Sequence, residues 1–172
     1  MIELALENSV VREWLPEDVE SLFRNANNRN VSRNLTDTFP YPYTMADAEG
    51  WIQRAGASDS KTHFAIAVDL SAVGGIGFHT RTDEYRRTAT IGYWLGEPYW
   101  GRGIVTAALR AVTKYAFANF DLARLQAYVF EWNAASARVL EKAGYTLEAR
   151  LRKHVTKEGR TVDSLLYALI RE

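Results

Sequence analysis

Two periods alternate along this chain, and each predicts its own elements. Leu4 to Trp14 reads as extended chain, with Asn8-Ser9 as a turn within it. Pro16-Glu17-Asp18 then opens a helix. Proline suits a first helical turn, acids favour its N-terminus, and Val19, Leu22 and Phe23 supply an apolar face. From Asn25 to Tyr43 no period holds, and Asn, Pro and aromatic residues crowd the segment. Met45 to Arg54 returns to helical spacing, with Asp47 early and Trp51 on one face. His63 to Val68, Val73 to His79 and Thr88 to Leu95 read as a strand meander. Asp69-Leu70-Ser71-Ala72 joins the first pair and a polar turn, residues 81–87, the second.

From Ile104 the period changes. Ile104, Val105, Ala108, Leu109, Val112, Tyr115 and Ala116 follow helical spacing to about Phe120. Arg124 to Phe130 is another strand, and Asn133 to Lys142 a helix that Gly144 ends. Tyr145 to Val155 and Thr161 to Ile170 are strands around the turn Lys157-Glu158-Gly159-Arg160. A meander combined with a βαβ crossover predicts an α/β fold: one mixed sheet with helices on both faces. A length of 172 residues suits a single domain over 1–172 with a substantial core.

Composition removes several function classes. Twenty-one basic residues balance 21 acidic ones, so no overall field draws the chain to nucleic acid or an anionic membrane. With no cysteine, disulfides, thiolate metal sites and a cysteine nucleophile are excluded. His63 and His154 lie far apart with no ligand cluster, so no metal site is expected. The first residues carry acids where a signal peptide has bases, and no apolar run is long enough to cross a bilayer. A cytoplasmic protein is the expectation.

The candidate chemistry sits at Trp100-Gly101-Arg102-Gly103-Ile104-Val105-Thr106, where a strand hands over to a helix. The first amides of a helix have no internal partner and point outward together, and the helix dipole adds positive charge. Such a junction holds an anion such as a pyrophosphate, and glycine lets the backbone come close to it. As structural alternatives, the glycines serve helix entry and Asn133 is simply an N-cap. Trp94, Tyr93 and Trp100 are packing aromatics, and Arg150, Arg152, Lys153, Lys157 and Arg160 form a solvated basic hairpin.

A second motif joins the first: Asn133-Ala134-Ala135-Ser136, followed by Glu141-Lys142-Ala143-Gly144-Tyr145. With the glycine loop, Arg12, Asp18 and Phe39-Pro40-Tyr41-Pro42-Tyr43, it resembles the GCN5-related N-acetyltransferases over nearly the whole chain. Within them it is similar to the ribosomal-protein alanine and serine N-acetyltransferase branch. The resemblance implies a sheet that splays open near the third meander strand and acetyl-CoA as co-substrate. Pantetheine would run along the backbone of Tyr93, Trp94 and Leu95. The pyrophosphate would sit on the amides of Gly101, Arg102, Gly103, Ile104, Val105 and Thr106, with Arg102 and the Thr106 hydroxyl adding contacts. Asn133 and Ser136 would face the thioester, and Tyr41, Tyr43 and His79 the acceptor amine. The amine would enter between the N-terminal helices and the final hairpin, in a monomer or homodimer.

Three positions depart from that pattern: Pro98 replaces Gln or Arg, Ala107 a glutamate, and Thr90 a glutamate near the reaction centre. Leu140 stands where many relatives carry a tyrosine acid, which leaves Ser136 nearest the sulfur. Candidate bases are Glu131 first, then His79 and Glu148. Roughly one α-amine in seven is neutral at pH 7, against roughly one lysine in 2,500. A site lacking the usual carboxylate therefore leans toward α-amines. The expected reaction is direct attack of a primary amine, such as a protein N-terminus, on acetyl-CoA in a ternary complex. The alternatives are an acetyltransferase for polyamines, amino acids or antibiotics, and a non-catalytic acyl-CoA-binding module.

Overall fold

The computed structural model describes residues 2–57 and 61–171. The meander comprises β3 (His63–Val68), β4 (Ser71–Thr80) and β5 (Thr88–Leu95), preceded by β1 (Glu3–Ala5) and β2 (Val10–Arg12). After the crossover come β6 (Arg124–Phe130), β7 (Thr146–Lys157) and β8 (Arg160–Ile170). All eight strands form one sheet in the order β1-β2-β3-β4-β5-β6-β8-β7. The helices are α1 (Val19–Ala26), α2 (Arg29–Ser32), α3 (Met45–Ala57), α4 (Ile104–Asn119) and α5 (Ala134–Lys142). Among the described residues no helix is long and apolar enough to cross a membrane.

Period-2 alternation sends successive residues of the meander to opposite faces. Phe64, Ile66, Ile76, Phe78, Ile91 and Leu95 pack with Leu109 and Val112 of α4 and Leu140 of α5. On the other face Trp14 and Ala65 pack with Leu22 of α1 and Ala48 and Ile52 of α3, and Trp94 lies against them. Both faces are thus covered, as the strand order implies for a sheet containing a βαβ crossover.

The parallel pair at the centre is short. β5 meets β6 only at Thr88↔Arg124, Ala89↔Leu125 and Thr90↔Gln126. Beyond Thr90, β5 stays with β4 as far as Gly74↔Leu95. β6 stays with β8 as far as Phe130↔Ser164. Each strand keeps its outer neighbour, so the sheet forks, and Thr90 and Gln126 mark the apex.

Three local differences from the sequence expectation have physical causes. The irregular segment contains α2, whose N-cap Asn28 accepts from the Asn30 amide at 2.7 Å. The Asn28 side chain also donates to Glu97 at 2.7 Å, a tertiary contact that propensity alone does not show. The first hairpin turns on Asp69 and Leu70 alone, at φ 47° and 68°, so β4 starts two residues earlier than expected. The basic hairpin is not simply a solvated face. Lys157 is 7% exposed and donates to Asp37 at 2.8 Å, and Arg150 is held between two carboxylates.

Candidate active site

The glycine loop follows from local geometry. Gly96 leads β5 into a short 3-10 turn, Glu97–Tyr99, after which Gly101 and Gly103 each adopt φ +75°. That is left-handed backbone, where a Cβ costs about 1–2 kcal/mol. A Cβ at either glycine would meet nothing within 4 Å, so conformation rather than crowding demands glycine. Gly103 is the N-cap of α4, and its carbonyl takes the first helical bond, from Ala107 at 3.1 Å. Among the described residues, the amides of residues 101–106 have no hydrogen-bond partner. They are unpaired donors at the positive end of a 16-residue helix.

Within this loop Ile104 is buried in the core, so it and its neighbour Val105 offer backbone rather than side chain. Thr106 is half-buried. Arg102 does not reach outward: it donates to the Pro98 carbonyl at 2.8 Å, with its guanidinium 5.4 Å from the Tyr99 ring centre. Its charge stands on the shoulder of the loop.

The open arm of the fork is β5. The Gly96 amide donates to the Val73 carbonyl at 2.7 Å, and antiparallel ladders alternate from there. The backbone groups of Trp94 therefore face β4; its carbonyl lies 2.4 Å from where a Cβ on Gly74 would stand. Those of Tyr93 and Leu95 face the gap. The Leu95 carbonyl is taken by the Trp100 indole N–H at 2.8 Å. Tyr93 and the Leu95 amide remain as the free edge, and Trp94 is excluded from it, packing its ring on Phe39 at 5.5 Å instead.

On the α5 side of the fork, Tyr93 and Ser136 form one unit. The Tyr93 hydroxyl and Ser136 Oγ lie 2.8 Å apart. Burial, the larger effect, pushes the Tyr93 phenol well above its ordinary range, against the bond to Ser136. Asn133 Oδ1 accepts from the Ser136 amide at 3.2 Å, so Asn133 caps α5 and fixes where Ser136 stands. Leu140, one turn on, is fully buried in the core.

The residues expected to meet an acceptor amine or to act as its base separate in the structure. Glu131 accepts from Arg150 at 2.6 Å, and the same guanidinium holds Asp163 at 2.7 Å. Glu131 is therefore committed to a surface ion cluster, not poised as a free base. Glu148 is gripped by Arg124 at 2.9 and 2.6 Å, which holds its carboxyl below the usual range. Tyr43 is 5% exposed and packs on Phe39 at 5.0 Å, so it belongs to the core rather than to a pocket wall. Tyr41 is exposed, with Arg29 over its ring at 5.6 Å.

His79 is exposed at the end of β4, directly opposite Thr90 of the apex. Its Nε2 lies 3.4 Å from Nε2 of His63. Sequence spacing shows no link between His63 and His79, because a register shift makes it. A regular hairpin on the Ala67↔Ala72 pairing would place His63 opposite Ile76, on the other face from His79. The bulge between Ile66 and Ala67 moves His63 opposite Gly77 and so onto the face of His79. Beside them Gly77 pairs with Gly92, which is exposed with open space where a Cβ would be. A bare floor thus lies one step past the apex. Across the gap stands Tyr128, stacked on His154 at 5.2 Å and accepting from Gln126 at 3.1 Å. No cluster of three or more metal-ligating side chains occurs among the described residues.

Residues 9–146 match the Acetyltransferase (GNAT) domain family. The uncharacterized SPbeta prophage-derived N-acetyltransferase YokL of Bacillus subtilis is 27% identical over 96% of this chain and 92% of its own. The ribosomal-protein-serine acetyltransferase of Escherichia coli is 32% identical over 62% of this chain and 59% of its own. Among solved structures, a RimL ribosomal L7/L12 alpha-N-protein acetyltransferase in complex with coenzyme A superposes with a TM-score of 0.83. It is 21% identical, with 98% of both chains covered.

Proposed function

The chain belongs to the GNAT acetyltransferase family, and from that premise we propose that it acetylates a primary α-amine, such as a protein N-terminus, with acetyl-CoA in a ternary complex. Residues 1–172 act as one catalytic domain, in the cytoplasm. The observation that carries this is the alignment of two unsatisfied backbone edges. The amides of residues 101–106 and the free edge of Tyr93 and Leu95 lead from an anion cradle into the fork.

The residues present suit that co-substrate. The cradle holds a pyrophosphate without any side chain, which is why Pro98 and Ala107 do not harm it. Arg102 stands near enough to swing from the Pro98 carbonyl to a phosphate, a stronger, charge-assisted partner. An extended, amide-bearing arm pairs with Tyr93 and Leu95 as an added strand would. The Leu95 amide, at the mouth of the gap, donates to the thioester oxygen as it gains charge. Ser136, bonded to a phenol that burial keeps protonated, delivers a proton toward the departing sulfur. The sulfur side and the amine side thus lie on opposite faces of the fork. An α-amine fits better than a lysine or polyamine. Glu131 and Glu148, the two carboxylates expected as bases, are both engaged by arginines, and an α-amine asks least of a base.

Calorimetric titration of the protein with acetyl-CoA, with ATP and NAD as controls, tests the cradle. Mass spectrometry of serine- and alanine-initiated hexapeptides against spermidine and free lysine then tests the acceptor. Selective micromolar binding with acetylated peptides is expected; acetylated spermidine alone would reassign the acceptor to a small amine.

A further inference from the structure

Resting on the acetyltransferase reading above, we infer that His79, oriented by His63, is the proton acceptor for the amine and takes the place of the carboxylate that Thr90 lacks. The juxtaposition is made by the bulge in β3 and by nothing local in sequence. Three polar groups form a line. Thr62 Oγ1 lies 3.0 Å from His63 Nδ1, and His63 Nε2 lies 3.4 Å from His79 Nε2. The ring centres of the two histidines are 4.6 Å apart, and Trp51 of α3 braces His63 edge-on at 5.8 Å. Thr62 is 5% exposed, so this end of the line is fixed. His79 at the other end is exposed, and its Nδ1 has no hydrogen-bond partner among the described residues.

The line admits two tautomer orders, and the proton relay requires the one in which His63 Nδ1–H donates to the Thr62 hydroxyl oxygen and His63 Nε2 accepts from His79 Nε2–H. His79 Nδ1 is then left with a bare lone pair. Burial, and to a smaller extent the charge of His79, holds His63 below the usual histidine range, so it remains a neutral acceptor. Thr90 of β5 and Trp51 of α3 are uncharged. The charged groups on the neighbouring elements are each engaged: Arg54 lies 6.0 Å from the Trp51 ring centre, Lys61 pairs with Glu13 at 3.6 Å, and Arg124, donating to Gln126 beside Thr90 at 2.9 Å, holds Glu148.

Position supplies the substrate. His79 faces Thr90, and Gly92 is its diagonal neighbour at a backbone spacing of about 7–8 Å, so an amine above Gly92 reaches toward His79 Nδ1 through one water. An ammonium resting on the Gly92 floor passes one proton through that water to His79 Nδ1, which releases it to solvent. The amine lone pair forms the N–C bond to the acetyl carbon as the C–S bond breaks. The nitrogen loses a second proton by the same relay, and the thiolate takes one up from the Ser136 side. One ammonium and one thioester thus give one amide, one thiol and one released proton.

Two measurements test this. Side-chain 15N NMR of histidine-labelled protein at pH 8, without any acceptor, reads the tautomers directly. Protonated Nε2 at His79 and protonated Nδ1 at His63 are expected; the reverse order overturns the proposal whether or not acetyl-CoA binds. Kinetics with the serine-initiated hexapeptide then read the role. His79→Ala should lose about 10²-fold in kcat/KM at pH 7 but only a few-fold at pH 9.5, where the amine is already neutral. A loss independent of pH would make His79 merely structural. His63→Gln, whose amide oxygen still accepts from His79, should stay near wild type, whereas His63→Leu should reproduce the pH-dependent loss. Acetyl-CoA calorimetry on each variant separates the outcomes: a variant that no longer binds the co-substrate reports on the cradle, not on the relay.

Discussion

At the scale of single residues, the site is built from groups that hold one another in place. Ser136 owes its position to Asn133 at the helix start, and its hydroxyl is hydrogen-bonded to that of Tyr93. Ser136→Ala should therefore lower kcat by about 10–10²-fold, a general-acid contribution, with little change in the acetyl-CoA dissociation constant measured by calorimetry. Tyr93→Phe should lower kcat less, because Ser136 remains. Equal losses in kcat and affinity in both variants would mean that the pair only packs. The motif tyrosine, Tyr145, does a different job. Its hydroxyl meets Thr113 Oγ1 at 2.7 Å in the core, and burial pushes it up to about 12. Tyr145→Phe leaves the Thr113 hydroxyl buried without its partner. It should cost about 1–2 kcal/mol in urea unfolding and leave kcat unchanged. Ser136 and Tyr145 are equally prominent in the sequence motif; only their partners separate the proposed proton donor from a core bond.

At the scale of elements, conformation decides more than contact. Gly103 starts α4 at φ +75°, so Gly103→Ala keeps every neighbour and still strains the cradle. A loss of about 1–2 kcal/mol in folding stability, with weaker acetyl-CoA binding by calorimetry, is the expected outcome. The opposite case is Leu70, at φ 68° and 93% exposed in a two-residue turn. Its carbonyl accepts from Arg12 at 3.1 Å, a bond that any residue keeps. Leu70→Gly should raise stability by up to about 1 kcal/mol, read as a higher Tm. The elements themselves were largely legible, because period and punctuation are local: β6 has the expected bounds and α5 differs only in Asn133 being its cap. The glycine loop at the start of α4 was legible for the same reason. What was hidden came from long-range register. The bulge at Ile66/Ala67 brings His63 to His79, ladder parity turns Trp94 away from the gap, and Arg150 claims Glu131. None of these leaves a mark in spacing along one strand.

At the scale of the whole molecule, proton uptake links the site to stability. Buried Arg12 and Asp18 form a two-bonded ion pair at 2.7 and 2.8 Å that ties β2 to the start of α1. The bond to Asp18, the largest influence, raises the arginine further, so the guanidinium stays charged across the neutral range. Removing one partner strands the other, and Asp18→Ala should cost about 3–5 kcal/mol. His63 acts differently. Its folded value is depressed, chiefly by burial, while the unfolded chain has the ordinary value of about 6.5. Below about 6.5 the unfolded state binds a proton that the folded state refuses, so stability falls as pH drops through that window. The carboxyls of Glu13, Asp47, Glu148 and Asp163 are also depressed, by hydrogen bonds from Ile2, Thr44, Arg124 and Lys153 first. Their contribution is complete above the ordinary carboxyl range and is lost only at lower pH. Two steps should therefore appear in Tm against pH, the first below about 6.5 and the second below about 4.5. His63→Gln should remove the first step and spare the second. A first step that survives in this variant would place the titration on another histidine and remove the reason for regarding His63 as neutral within the fold.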